Sequence, residues 1–117
     1  MLLFGSKKTR TRAKAERLFG QGIEAIRRDD YLRAAALFEQ AMNLYQELPG
    51  TELDQADCLY NLAIALSDLN KSTEAESIRR QALALYQTIP GTERDQADCL
   101  HDLANTLDEP EQTSTGR

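Results

Sequence analysis

Residues 44–63, LYQELPGTELDQADCLYNLA, return 41 positions later as LYQTIPGTERDQADCLHDLA at 85–104, with 15 of the 20 residues unchanged. A phrase copied so closely within 117 residues marks one structural operation carried out twice, and such internal repetition bears directly on architecture. The copied stretch crosses a reversal of the chain. Pro49 and Pro90 disfavour helical geometry in the residues before them and end a helix. Gly50 and Gly91 allow a sharp turn. Thr51 and Thr92 follow as N-caps, with Asp54 and Asp95 three residues on; the pattern is close to a capping box and puts negative charge at a helix start.

Outward from these turns the apolar residues keep a helical period. Leu59, Leu62, Ala63 and Leu66 recur at spacings of three and four, as do Leu100, Leu103, Ala104 and Leu107. Ala34, Leu37, Phe38, Ala41, Leu44, Tyr45 and Leu48 form another such stripe, and Ala75, Ile78, Ala82, Leu85, Tyr86 and Ile89 a fourth. Breaks at RRDDY (27–31) and LNKST (69–73) separate them into hairpins. The expectation is an all-α fold of five helices at 13–28, 31–48, 52–69, 72–89 and 93–108. Residues 1–12 are expected to be a flexible basic arm and 109–117 a disordered tail, leaving 13–108 as the folded domain.

The motifs resemble the tetratricopeptide repeat, whose pattern is W-x2-L-G-x2-Y, then A-x3-F, then a proline, in about 34 residues. The first hairpin matches with Leu18-x2-Gln21-Gly22-x2-Ala25, Tyr31 and Ala34-x3-Phe38-x2-Ala41; the second with Leu59-x2-Leu62-Ala63-x2-Leu66 and Ala75-x3-Arg79-x2-Ala82. Leu100-x2-Leu103-Ala104-x2-Leu107 is a third first-helix with no second helix behind it. The 41-residue spacing adds almost two helical turns, which makes the chain similar to the longer variant found in kinesin light chains. The resemblance implies an α-solenoid of two antiparallel hairpins plus a capping helix. In it Gly22, Ala63 and Ala104 let a partner helix approach closely, and Ala34, Ala41, Ala75 and Ala82 do the same from the opposite side. Arg79 stands where the pattern has an aromatic, and Gln21 where it has Leu.

Composition agrees with a globular chain: hydrophobic residues make up 41% and charged residues 28%, without tryptophan. The net charge of −5 is divided unevenly, with six basic residues and one acidic in 1–17 against eight basic and eighteen acidic in 18–117. No stretch approaches the roughly 18 apolar residues of a membrane span, and MLLFGSKK has its basic residues after its apolar ones, the reverse of a secretory signal. Cys58 and Cys99 hold equivalent places one repeat apart, too distant for a disulfide, and are expected as buried thiols in a reducing, cytoplasmic setting. Two cysteines and one histidine at these spacings fit no zinc pattern.

Nor does the chain carry a nucleophile–base constellation, a phosphate-binding glycine loop or a cofactor motif, so catalysis is not expected. The expectation is a non-catalytic protein-interaction module, an adaptor or assembly factor. The resemblance implies that first helices line a concave groove, which places Phe19, Ile23, Ile26, Tyr60, Asn61, Ile64, His101, Asp102 and Asn105 along it. Phe19 and Ile23 are equally compatible with a purely core role. Some tetratricopeptide domains bind C-terminal carboxylates through Lys, Arg and Asn in the groove. Here Asn61 occupies one such place while Phe19, Asp98 and Asp102 occupy the basic ones, so the expected partner segment is apolar and basic. The basic arm (Lys7, Lys8, Arg10, Arg12, Lys14) opens an alternative, docking into the groove of its own or another copy as a homo-oligomerising device. A lesser alternative is a tether to nucleic acid or anionic membrane.

Overall fold

The computed structural model describes residues 2–108, and side chains from 7 to 105. Five helices follow one another: α1 (Leu2–Arg27), α2 (Tyr31–Gln46), α3 (Glu52–Asp68), α4 (Ser72–Tyr86) and α5 (Glu93–Asp108). Each packs on the next, α1 on α2 through to α4 on α5, which is the nearest-neighbour order of a helical solenoid. The extents of 64 × 31 × 18 Å give a slab two helices deep at its thinnest. Among the described residues no helix is long and apolar enough to cross a membrane.

The expected helices are present; α2 and α4 end two and three residues early, at Gln46 and Tyr86, and the largest change of boundary is at the start of α1. The segment expected as a flexible arm is helical from Leu2 onward. Nothing near residue 13 interrupts a helix: there is no proline, and Lys, Arg, Leu and Ala all favour helix. The expected tail at 109–117 lies outside the described residues.

The two long turns are copies, but not by the expected cap. Thr51 makes no side-chain bond to the start of its own helix. Its hydroxyl instead points back to the end of α2, 2.6 Å from the Tyr45 carbonyl and 3.0 Å from that of Leu48, and accepts from Gln55 Nε2 at 3.0 Å. Thr92 repeats this against Tyr86 and Ile89, at 2.7 and 2.8 Å, with Gln96 at 3.1 Å. Both threonines are buried. The Tyr45 and Tyr86 carbonyls already accept from the Leu48 and Ile89 amides, so each hydroxyl adds a second bond there and gives the Leu48 or Ile89 carbonyl a partner away from water. The short turns inside the hairpins are copies too. Asp29 and Asn70, 41 residues apart, both take φ near +60°, a conformation Asp and Asn tolerate. The next amides, Asp30 N–H and Lys71 N–H, reach back to the Ala25 and Leu66 carbonyls, as in a Schellman motif.

The core is a sheet of small contacts. Ala34, Ala41, Ala63 and Ala82 are fully buried and Ala75 almost so. Gly22 explains itself: a Cβ there would stand 2.8 Å from Phe38 Cε1 and Cζ, so only glycine admits the Phe38 ring. Ala104, expected to nest a partner in the same way, is exposed. No helix follows α5 among the described residues to cover it. Cys58 and Cys99 are buried and free.

Candidate interaction surface

The residues expected in a groove lie on α1, α3 and α5, and the structure treats them unequally. On α1, Phe19 is half-buried, with its ring edge-to-face on Phe38 at 5.4 Å and 72°. Ile23 and Ile26 are also half-buried against the cluster around Phe38, Leu37 and Leu62. These three therefore share their surface between core and exterior. On α3, Tyr60 packs beside Leu59, Ala82 and Tyr86, and its hydroxyl donates to Asp102 Oδ2 at 3.2 Å. Burial first, and the Asp102 carboxylate second, push the Tyr60 phenol up to about 12. Asn61 is half-buried and donates through Nδ2 to the Asp57 carbonyl, 2.9 Å away. Ile64 is half-buried. On α5, His101 and Asn105 are exposed, with Nε2 and Nδ2 3.3 Å apart.

Tyr60 and Asp102 are thus brought into contact across α3 and α5, whereas Phe19, Ile23 and Ile26 gather around Phe38 at the other end. Lys7, Lys8, Arg10, Arg12 and Lys14 are exposed along α1. Asp102 has a second partner that residue spacing alone does not reveal. Arg79, buried on α4, brings Nε to 3.7 Å from Asp102 Oδ2, and that Nε has no hydrogen-bond partner among the described residues. A signal for this pair does exist in the repeat: Arg79 and Asp102 replace Phe38 and Asn61 together.

Charge is sorted by helix. α3 carries four acidic residues and no basic one, and α5 five acidic residues and Arg94. In α2 and α4 the signs balance, while α1 holds seven basic residues against two acidic. Crowding of like charge is felt at Asp57. Burial pushes its carboxyl above the usual range, and Asp95 and Asp54 push it further, against the hydrogen bond from the Tyr86 hydroxyl.

A concavity of about 530 Å³ opens between α2 and α4 over the end of α3. Leu32, Ala35, Ala36, Leu66, Leu69 and Ile78 form its apolar lining, and Leu32 is 70% exposed. None of the expected groove residues lines it. The sequence hint was the run YLRAAALF, in which Leu32, Ala35 and Ala36 lie outside the A-x3-F stripe.

A family model described as tetratricopeptide repeat matches residues 22–88, more than half of the chain. No curated protein matches this sequence.

Proposed function

This chain belongs to the tetratricopeptide repeat family, whose repeats generally mediate protein–protein interactions, and on that premise we propose that it is a non-catalytic adaptor or assembly factor holding a short, basic and apolar segment of a partner protein along α3 and α5. The observation that carries this is the sorting of charge. Nine of the ten charged residues on α3 and α5 are acidic, while α2 and α4 are neutral in sum. Burial is the main cause of the raised Asp57 carboxyl, and the smaller push from Asp95 and Asp54 is relieved when a cation settles among the three. Exposed His101 and Asn105 offer hydrogen bonds beside half-buried Tyr60 and Ile64, the mixture of polar groups and apolar surface that orients a bound peptide. Anchoring side chains seated there contribute about 1.5–3 kcal/mol each, toward the roughly 8 kcal/mol of a micromolar complex and against the cost of association.

The pocket between α2 and α4 supports a second reading, in which the partner docks on the opposite side against Leu32. One experiment separates the two. Proteins captured by the intact chain are compared with those captured by a His101→Lys, Asn105→Lys double variant and by Leu32→Asp. The acidic-face reading expects a partner kept by Leu32→Asp, lost from the double variant, and released by salt. A partner lost only from Leu32→Asp overturns it in favour of the pocket.

A further inference from the structure

The molecule contains its own control for how a helix in the position of α5 is normally covered. On α3, Ala56, Leu59 and Ala63 face α4 and are 0%, 6% and 0% exposed. Ala97, Leu100 and Ala104 occupy the same register on α5, yet all three are exposed, Leu100 at 54%. Sequence and backbone prepare this face to receive a helix, and no described helix lies on it.

The opposite end of the slab presents a complementary oddity. Gly20 sits in the interior of α1, where glycine disfavours helix relative to alanine. A Cβ at Gly22 would strike Phe38, but a Cβ at Gly20 would meet nothing within 4 Å. No contact among the described residues therefore calls for glycine at position 20. Thr9, Ala13 and Gly20 share the exposed side of α1, turned away from buried Ala15 and Gly22. Thr9, Ala13 and Gly20 leave room for a leucine-bearing neighbour on this side, with exposed Glu16 and Arg17 in the turn between Ala13 and Gly20.

Charge selects the occupant. α5 carries five acidic residues to one basic, and α1 seven basic to two acidic. Two α5 helices set face to face would oppose like charges, whereas α5 on α1 of another copy joins opposite ones. We propose that copies of this chain associate head to tail, the Ala97–Leu100–Ala104 face of α5 on one copy seating against the Thr9–Ala13–Gly20 face of α1 on the next. The contact is heterologous, so a pair of copies keeps one free α1 face and one free α5 face, and assembly continues into a ring or an open filament. It is centred on Leu100 and borders His101, which lies four residues after Ala97 and three before Ala104, and it does not depend on peptide binding.

Sedimentation velocity of the full chain tests this over a wide concentration range, at low and high salt. The average mass should rise with concentration and fall as salt screens the ends. Leu100→Lys removes the α5 face and Gly20→Gln the α1 face; both positions are open to solvent, so helicity should be unchanged. Each variant alone should stay monomeric, while an equimolar mixture should give a dimer, because each retains one intact end. If Leu100→Lys fails to fold, Ala104→Gln takes its place. A wild-type chain that is monomeric throughout overturns the proposal, as does a mixture that gives no dimer. So does a Gly20→Gln variant that self-associates like the wild type, since that outcome belongs to α5 packing on α5.

Discussion

Arg79 and Asp102 tie α4 to α5 through a 3.7 Å ion pair, at the two positions where the preceding repeat holds Phe38 and Asn61. In the first repeat an aromatic ring packs against Gly22; in the second a buried arginine stands at the ring's equivalent position, with its counter-ion on the next helix. Removing one member leaves a charge without its partner, which costs more than replacing both. Asp102→Asn should therefore destabilise the chain by about 1–2 kcal/mol, a value reduced because Asp102 is partly exposed. Arg79→Phe with Asp102→Asn, which copies the first repeat, should recover part of that loss. Urea unfolding of the two singles and the double measures the coupling, and additive losses would deny it.

The two helical glycines of α1 should respond in opposite directions. Gly22→Ala drives a methyl into the Phe38 ring and should cost about 1–3 kcal/mol. Gly20→Ala adds helix propensity in open space and should gain about 0.5–1 kcal/mol. Thermal unfolding at low concentration reads both, at roughly 4–8 °C per kcal/mol for a chain of this size.

Thr51 and Thr92 make a matched pair of tests. Replacing either by Val keeps the shape but removes the hydroxyl that serves two carbonyls, at a cost of about 1–3 kcal/mol. Thr→Ser should cost less because the hydroxyl is kept. If Thr51→Val and Thr51→Ser unfold at the same urea concentration, the backward hydrogen bonds do not stabilise the turn.

The cysteines set a pH dependence. Burial pushes the Cys58 thiol up to about 12 and the Cys99 thiol to about 11, from an ordinary value of 9.0. The folded chain thus holds these protons more tightly than the unfolded chain. Their contribution to stability is complete below pH 9 and is lost as pH rises through 9 toward 11–12. A Cys58→Ala, Cys99→Ala chain should lose less stability than wild type between pH 8.5 and 10.5, provided the comparison is between slopes and not absolute values. Native protein at pH 8 should resist iodoacetamide and react fully once unfolded in guanidinium.

The helices were legible in the sequence because burial on one side of a helix imposes a 3.6-residue period, and Leu59, Leu62 and Leu66 show it without outside help. Gly22 was legible as a point of close approach, and Phe38 is the ring that approaches it. The role of Thr51 was not. A threonine between two helices can serve the amides ahead or the carbonyls behind, and the turn's path, which residue spacing does not encode, chose the latter. The start of α1 was missed because no proline or cap marks where a basic helix should stop.

From the sequence alone came the repeat, its all-helical character, its turns and the sorting of charge, because each depends on residues near one another in the chain. Which neighbours stand across helices needed tertiary structure. Arg79 meets Asp102 and Tyr60 meets Asp102 over separations of 23 and 42 residues, and Leu100 is bare where Leu59 is covered. Identical residues in identical registers differ there only in whether another helix lies against them, and that is a property of the assembled layers, not of the local chain.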